Sequence, residues 1–262
     1  MNRETIKQIM QSEGILPQVK FGQNFLCDEE IISRIVGLCE INREDTVMEI
    51  GPGLGSITYP MSELTDNLTC IEIDRGLAEY LNANLANVNI VNKDFLKVDS
   101  SDMKPDVVVS NIPYYVMTDI MKKLFSEYSN ARKMVFMVED EAIARIDCEP
   151  GTKQYGPLSI LGSLYGGYSF EFKVPHTAFV PQPHTTSAVI SFSRKESADI
   201  LCPEFVKFLN AAFSQRRKLL KKNLASYKGL EKAFAELGIS ENARAEELTP
   251  EVFAKLFKYL KV

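Results

Sequence analysis

Short apolar runs alternate with helical stretches along much of the chain, and this alternation restricts the folds that it can adopt. From Thr46 onward the apolar runs are TVMEI, LTCIEI, VNIV, DVVV and KMVFMV, and stretches with helical spacing, such as RGLAEYLNANL, follow most of them. Strands that alternate with helices form crossover units, which place parallel strands in one sheet. Two later runs, YSFEFKV and SAVISFS, are predicted to be antiparallel edge strands. The sequence therefore predicts an α/β fold with a mostly parallel sheet.

The pattern becomes purely helical near residue 198. The segment PEFVKFLNAAFSQRRKLLKKNLAS is predicted to be one helix, and helices follow at GLEKAFAELG and TPEVFAKLFKYL. A segment of this size forms only a small appendage to a larger domain. We therefore predict a first domain over residues 1–198 and a small all-helical domain over residues 199–262.

Positive charge is concentrated in this helical segment. The whole chain has a net charge of −5, yet residues 201–262 contain 12 Lys and Arg against 7 Asp and Glu. Such an uneven distribution indicates an anionic partner, although a solvated helix face is the ordinary alternative. The candidate phosphate-contacting residues are Arg216, Arg217, Lys218, Lys221 and Lys222.

Several functional classes are disfavoured by the sequence. No apolar stretch approaches the roughly eighteen residues of a membrane span, and the first residues lack the apolar core of a secretory signal. A cytoplasmic protein without a membrane partner is expected. Five scattered cysteines without a C-x-x-C pair and only two histidines argue against a metal site or a disulfide framework.

A glycine-rich loop, IGPGLGS, follows the first strand of the alternating region. In an open α/β sheet, ligands bind outside the carboxyl ends of the strands, where glycines let the backbone approach them. Dinucleotide sites use G-x-G-x-x-G, but this loop has G-x-G-x-G, Pro52 removes one N–H donor, and the acidic Glu49 comes before Gly51. A phosphate-free, zwitterionic cofactor fits such a loop, and S-adenosylmethionine has these properties.

Two carboxylates follow at later strand ends. Glu72 lies 21 positions after Gly51, where it can accept hydrogen bonds from both ribose hydroxyls of a nucleoside, and Asp94 can accept one from the amino group of its adenine. Either residue alone could be an ordinary surface carboxylate. Their register with the glycine loop favours a cofactor site.

The strand DVVVS ends in the unusual turn Asn111-Ile112-Pro113-Tyr114. The Asn111 side-chain oxygen and the Ile112 carbonyl could hold the two N–H groups of a base's exocyclic amine. Pro113 restricts the conformation of Ile112, and Tyr114 offers a flat face for the base. Alone, this is an ordinary Asn-x-Pro turn; after the glycine loop it predicts a nucleobase methyltransferase, in which positioning supplies most of the catalysis.

These motifs together resemble the ribosomal RNA adenine dimethyltransferase family, of the KsgA and Dim1 branch and related to the Erm enzymes. The resemblance extends over nearly the whole chain and includes KFGQNFLCDE, MEIGPGLG, IEIDRGLA, NKDFL, NIPY, FVPQPHTTSAV and FSQRRKLLKKNL. It implies a Rossmann-like methyltransferase domain that uses S-adenosylmethionine. It also implies that the substrate is small-subunit ribosomal RNA in an immature subunit, with dimethylation of the N6 amines of two adjacent adenines in its 3′-terminal hairpin.

Two sets of site residues follow from the resemblance and from the glycine loop, the two carboxylates and the Asn111 turn. The predicted catalytic residues are Asn111, Ile112, Pro113, Tyr114 and Phe179, the last of which faces the target base opposite the tyrosine in the family. The predicted cofactor-binding residues are Gln23, Asn24, Leu26, Gly51, Gly53, Glu72, Asp94 and Asn111. No metal is predicted, and a monomer is expected.

The chain also departs from the family pattern. The departures are Tyr115, Met117, Glu139, Asp140, Pro157, His184 and Thr186. Several of them remove positive charge where the resemblance places the RNA face, and phosphate contacts supply much of RNA affinity. Two alternatives therefore stay open: an Erm-like or retargeted N-methyltransferase acting on other RNA or on a small molecule, and a ribosome-assembly factor without catalysis.

Overall fold

The alternating apolar runs form one seven-stranded sheet in the computed structural model, which describes residues 1–260. The strands in these residues are β1 (Phe25–Leu26), β2 (Val47–Ile50), β3 (Leu68–Glu72), β4 (Asn89–Asn92), β5 (Val107–Asn111), β6 (Lys133–Glu139), β7 (Tyr168–Val174), β8 (Phe179–Val180) and β9 (Ser187–Ser193). The sheet order is β4-β3-β2-β5-β6-β9-β7, and β1 pairs with β8 in a separate ribbon. Strand β7 is an edge strand, as predicted, but the same prediction for β9 is wrong, because β9 lies between β6 and β7.

Helices connect most of these strands. The α-helices of the described residues are α1 (Arg3–Ser12), α2 (Glu29–Leu38), α3 (Thr58–Ser62), α4 (Arg75–Asn84), α5 (Met117–Glu127), α6 (Pro157–Tyr165), α7 (Pro203–Ala212), α8 (Leu220–Asn223), α9 (Leu230–Leu237) and α10 (Pro250–Leu260). Within residues 1–260, we find no helix long and apolar enough to cross a bilayer.

The strand pairing aligns the functional loops. Strand β2 lies parallel to β3 and β5, β3 lies parallel to β4, and β5 lies parallel to β6, whereas β9 runs antiparallel to β6. Because parallel strands end at the same edge, the chain leaves β2, β3 and β5 side by side. The α/β fold with a mostly parallel sheet is therefore confirmed.

Burial explains where the sheet strands lie. All four residues of β2 and the first four of β5 are buried, which matches their near-continuous apolar sequence. Helix α2 contributes Ile31, Ile32, Ile35 and Val36 to the same core cluster. The Asp28 carboxylate accepts a hydrogen bond from the Ile31 N–H at 3.1 Å and caps this helix.

Two helices were not expected from the sequence. Helix α1 forms in the polar N-terminal stretch, where Asn2 accepts a hydrogen bond from the Thr5 N–H at 3.0 Å and Ile6 is buried. Helix α6 begins with Pro157 at its first position, where the absent proline N–H costs nothing. The Pro157 departure is thus compatible with a helix start.

The described chain divides into two compact units. The first contains residues 1–120, 130–142 and 169–193, and the second contains residues 121–129, 143–168 and those from Arg194 onward. Aromatic rings fill the second unit; the Phe257 ring centroid lies 5.0 Å from that of Phe205 and 5.5 Å from that of Phe208. The division into domains at residue 198 stays a prediction.

The single helix predicted over residues 203–226 is wrong. Helix α7 ends at Ala212, turns follow, and α8 starts only at Leu220. The Asn223 side-chain amide donates hydrogen bonds to the Ala212 carbonyl at 2.6 Å and the Gln215 carbonyl at 3.2 Å. The side chain of Arg216 donates to the Tyr155 carbonyl at 2.7 Å. The bond from Asn223 satisfies the Ala212 carbonyl, which is free at the end of α7. Together these contacts hold a bend that helical periodicity does not reveal.

Candidate active site

The loop after β2 has the backbone that its glycines predict. Gly51, Gly53 and Gly55 have φ values of +70°, +61° and +88°, a region that other residues rarely adopt. A Cβ atom added to Gly53 would lie 3.1 Å from the Phe25 ring. Glycine is thus needed at position 53 both for its conformation and for the close approach of the N-terminal segment.

The glycine N–H groups of this loop already have partners inside the protein. Gly51 donates to the Ile71 carbonyl at 2.9 Å, Gly53 donates to the Glu72 carboxylate at 3.2 Å, and Gly55 donates to the Pro52 carbonyl at 2.9 Å. A phosphate cradle needs several N–H groups directed at the ligand. The loop therefore fits a phosphate-free ligand, as the sequence predicts.

A cavity of about 450 Å³ lies over this loop. Its wall contains seven of the eight predicted cofactor-binding residues, namely Gln23, Asn24, Gly51, Gly53, Glu72, Asp94 and Asn111. The eighth, Leu26, is absent from the wall; it is buried in β1 opposite Phe179, and its carbonyl accepts a hydrogen bond from the Ser56 hydroxyl at 2.6 Å. A cavity of this size is in the range that holds a small cofactor.

Glu72 is the buried carboxylate of the cavity. Its two oxygens accept hydrogen bonds from the Asp74 N–H at 2.8 Å and the Gly53 N–H at 3.2 Å. Burial raises the pKa of Glu72 to about 7, while the two backbone hydrogen bonds oppose this rise. The N–H groups fix the carboxylate in one orientation, which suits a group that binds a pair of ribose hydroxyls.

The other end of the cavity suits an adenine ring. Ile73 and Leu96 line it and leave 44% and 37% of their surface exposed, so apolar side chains face the space instead of the core. The Asp94 carboxylate lies in the same wall and accepts a hydrogen bond from the Leu96 N–H at 3.0 Å. A planar apolar ring with an amino group on its edge matches these neighbours.

The N-terminal segment forms another wall through contacts that the sequence did not indicate. The side-chain amides of Gln18 and Gln23 donate to one oxygen of the Asp74 carboxylate, at 2.5 and 3.0 Å, and Gln23 accepts from the Gln18 N–H at 2.7 Å. Asp74 also caps α4. Gln18 and Asp74 therefore hold the segment containing the predicted Gln23 and Asn24. In the sequence, the one indication of these contacts is Asp74, a residue with a short polar side chain that closely follows the end of β3.

The catalytic turn begins at the last residue of β5. The Asn111 amide nitrogen lies 3.5 Å from the Asn24 carbonyl, and the Ile112 N–H donates to the Met137 carbonyl at 3.0 Å. Pro113 is extended, with φ −60° and ψ 131°, and starts the 3₁₀ helix Tyr114–Val116. Strand β6 thus holds the backbone of the turn through Ile112, and the N-terminal segment contacts the side chain of Asn111.

A second cavity, of about 240 Å³, adjoins the turn. All five predicted catalytic residues line it: Asn111, Ile112, Pro113, Tyr114 and Phe179. Tyr114 is 53% exposed, whereas Phe179 is 1% exposed. The two cavities share Gly22, Asn24, Asn111, Pro113 and Tyr115. The cavity over the glycine loop and the second cavity therefore meet at Asn111.

The two acidic departures from the family pattern, Glu139 and Asp140, both have partners in the first unit. Glu139 lines the second cavity and accepts a hydrogen bond from the Thr185 hydroxyl at 2.8 Å. Asp140 pairs with Lys173 at 2.7 Å, and its N–H donates to the Thr186 carbonyl at 3.0 Å. A carboxylate in the wall of the second cavity gives this chain a polar contact that the family pattern does not imply.

The cationic residues predicted to contact RNA fall into two groups. Arg216 donates to Tyr155 and Thr152 carbonyls and pairs with Glu246 at 3.0 Å, and Lys221 pairs with Glu241 at 3.0 Å. The side chains of Arg217, Lys218 and Lys222 are exposed. The first group is therefore half-buried and engaged in contacts within the second unit, whereas the second group is the more exposed one.

Glu49 lies beneath the loop and is almost completely buried. Its carboxylate accepts hydrogen bonds from the Thr58 hydroxyl at 2.6 Å and the Cys70 thiol at 3.5 Å. Burial raises the pKa of Glu49 to about 7, the two hydrogen bonds lower it, and the charge of Glu72 adds to the rise. Cys70 is a buried thiol.

These two carboxyls make folding stability depend on pH. Since the native state holds their protons up to a pKa of about 7, it binds more protons than the unfolded chain between pH 5 and 7. The free energy of unfolding of the cofactor-free protein is expected to fall as the pH rises through this window, by on the order of 3 kcal/mol per carboxyl. Urea unfolding at several pH values measures it.

Glu49→Gln is the matched variant for this prediction, because its amide oxygen can still accept the Thr58 hydrogen bond. Its stability is expected to change less with pH than that of the wild type. Identical pH profiles for both proteins would contradict the assignment of a raised pKa to Glu49.

The sheet order, the cavity over a glycine loop whose glycine N–H groups bond within the protein, and the second cavity adjoining it define a Rossmann-like S-adenosylmethionine-dependent methyltransferase. The chain belongs to the ribosomal RNA adenine dimethylase family, whose model matches residues 17–262. Its cofactor is S-adenosylmethionine. The cavity fits this molecule, since it offers a buried carboxylate for the ribose and apolar walls beside Asp94 for the adenine.

Two relatives illustrate the similarity in sequence. The ribosomal RNA small subunit methyltransferase A of Natranaerobius thermophilus is 33% identical over an alignment that covers 97% of this chain and 95% of the relative. The protein of the same name from Listeria monocytogenes is 37% identical over 97% of this chain and 94% of its own length. The family resemblance seen in the motifs is confirmed.

Two solved structures share the fold. A dimethyladenosine transferase from Plasmodium falciparum superposes with a TM-score of 0.74 and 23% identity, covering 91% of this chain and 98% of that chain. The 23S rRNA methyltransferase ErmE superposes with a TM-score of 0.61 and 25% identity, covering 91% of this chain and all of that one.

Proposed function

We propose that this protein dimethylates the N6 amines of two adjacent adenines in the 3′-terminal hairpin of small-subunit ribosomal RNA. It would act as a monomer, in the cytoplasm, on the immature small subunit. The observation that carries the proposal is the meeting of the cofactor cavity and the second cavity at Asn111. The relatives named small subunit methyltransferase A support the choice of RNA.

The residues around Asn111 have distinct tasks in this proposal. S-adenosylmethionine supplies a methyl group on a positively charged sulfur when it is bound. The Asn111 side-chain oxygen and the Ile112 carbonyl accept hydrogen bonds from the two N–H groups of the adenine amine. These bonds direct the lone pair of the amine nitrogen toward the cofactor cavity. The exposed Tyr114 ring contacts the extruded base on its flat face, which offsets part of the cost of unstacking it. Phe179, which is almost completely buried, forms part of the cavity wall that the base would meet.

The proposal requires no general base among the described residues. The junction of the two cavities would place the amine against the methyl group, so that a reaction between two molecules takes place within one complex. Such positioning can supply much of the rate enhancement. The Asn24 carbonyl beside the Asn111 amide supports this geometry by fixing the orientation of the clamp.

Methyl transfer to immature small subunits, followed by mass spectrometry of the nucleosides, tests this function. Dimethyladenosine at the two hairpin positions is the expected product, and RNA from a deletion strain should lack it. Modification of large-subunit RNA instead would support the Erm-like alternative. Binding to subunits without any transferred methyl would support an assembly factor.

The exposed cations give a further prediction about RNA binding. Replacing Arg217, Lys218 and Lys222 together by alanine is expected to weaken rRNA binding. The slope of log Kd against log salt should fall by about one unit for each phosphate that the variant no longer neutralises. Filter binding at several salt concentrations measures both quantities, and wild-type affinity in the triple variant would contradict the prediction.

Arg216→Ala is the matched control for these variants. Because its guanidinium bonds to Tyr155 and Thr152 carbonyls and to Glu246, its removal is expected to lower the free energy of unfolding by about 1–3 kcal/mol. The salt dependence of RNA binding should change much less than in the triple variant.

A further inference from the structure

Tyr115 occupies a place that the proposed roles of the neighbouring residues leave unexplained. It belongs to the 3₁₀ helix Tyr114–Val116, is 56% exposed and lines both cavities. Of the five residues shared by the two cavities, Tyr115 alone carries an aromatic ring; the others are Gly22, Asn24, Asn111 and Pro113. The ring therefore stands at the passage between them.

The Tyr115 ring approaches the N-terminal segment at Gly22. A Cβ atom added to Gly22 would lie 3.8 Å from Tyr115 Cε1 and 3.6 Å from Pro113 Cβ, and Gly22 has a φ of +62°. Even a methyl group at position 22 would thus be in contact with the ring, so the segment passes close to it. The hydrogen bonds of Gln18 and Gln23 to Asp74 hold this segment in the cavity wall.

The electrostatics of Tyr115 connect it with the cofactor cavity. Burial raises the pKa of its hydroxyl, and the negative charge of Asp94 raises it further. Asp94 lines the cofactor cavity and is absent from the wall of the second one. The tyrosine is therefore neutral at physiological pH, and its electron-rich ring borders the space for the cofactor.

We propose that Tyr115 is a cofactor-binding residue whose ring, packed toward Gly22, closes the cofactor cavity at its passage to the second cavity and favours the charged methyl donor over the neutral product. This inference rests on the proposed function of the two cavities. The face of an aromatic ring attracts a nearby cation. The donor carries a positive sulfonium and the product S-adenosylhomocysteine a neutral thioether, so an aromatic wall distinguishes them where an aliphatic wall does not.

Isothermal titration of S-adenosylmethionine and S-adenosylhomocysteine into wild type, Tyr115→Phe and Tyr115→Leu tests the inference. Phe keeps the ring, and Leu keeps apolar bulk without it. Tyr115→Phe should bind both molecules within about twofold of wild type. Tyr115→Leu should lose about tenfold in affinity for the methyl donor and clearly less for the product. Thermal unfolding shows whether each variant remains folded.

Two outcomes would overturn the inference: wild-type affinities for both molecules in Tyr115→Leu, and equal losses for both molecules. If the affinities are unchanged, a raised KM for rRNA in a separate methylation assay would place the ring in RNA recognition instead. The titration contains no RNA. A wild-type protein that binds the cofactor but does not methylate small subunits would therefore contradict the proposed function and leave the Tyr115 result intact.

Discussion

Replacing Asn111 by alanine is expected to lower methyl transfer at least about 100-fold while binding to the small subunit remains at the wild-type level. The substitution removes one of the two acceptors proposed to hold the adenine amine, and small losses of alignment have effects of this size. Asn111 lies where the cofactor cavity and the second cavity meet, so the substitution removes an acceptor from the junction itself. Single-turnover rates and subunit sedimentation measure the two quantities.

Asn87→Ala is the matched control for the clamp. Asn87 is exposed, and its amide donates to the Ser62 carbonyl at 3.2 Å, outside both cavities. It should methylate at the wild-type rate. Equal loss of methylation and subunit binding in Asn111→Ala would contradict the clamp, because it would mean that Asn111 serves binding and not the chemical step.

Replacing Glu72 by glutamine is expected to weaken S-adenosylmethionine binding about 100-fold. The carboxylate is oriented by the Gly53 and Asp74 N–H groups, and hydrogen bonds to a charged acceptor contribute about 1.5–3 kcal/mol each, with 1.4 kcal/mol equal to a factor of ten. The amide has only one acceptor oxygen for these two N–H groups and the ribose. Titration calorimetry without RNA measures the affinity.

The pH dependence of cofactor binding follows from the same group. Burial raises the pKa of Glu72 to about 7, and only the ionised carboxylate can accept hydrogen bonds with both oxygens. Cofactor affinity is therefore expected to rise from pH 6 to pH 8 in the wild type and to change less in Glu72→Gln. Glu79→Gln, an exposed carboxyl paired with Arg75 on α4, should keep the wild-type profile; a flat wild-type profile would refute this role for Glu72.

The sequence by itself predicted the strands of the sheet and most of the residues of the cofactor site. The strands Tyr168–Val174 and Ser187–Ser193 have the predicted bounds, because apolar runs and turn residues determine them locally. Four site elements lie at or just after the ends of parallel strands: the glycine loop, Glu72, Asp94 and Asn111. Parallel strands end at one edge of the sheet. The meeting of these four elements in one cavity therefore followed from the strand pattern.

The tertiary structure alone decided the contacts between residues distant in the chain. Gln18 and Gln23 bind Asp74 more than fifty positions away, and no periodicity indicates such a bond. The break after Ala212 depends on Asn223 and on the Tyr155 carbonyl, so a helical pattern could not reveal it.

Tyr115 shows the same limit. In the sequence it is only a departure from a family pattern, yet in the structure it lies beside Gly22 at the junction of the two cavities. Local patterns determine secondary structure and the strand ends that carry the site. Side-chain partners across the fold depend on packing, which no short segment of sequence contains.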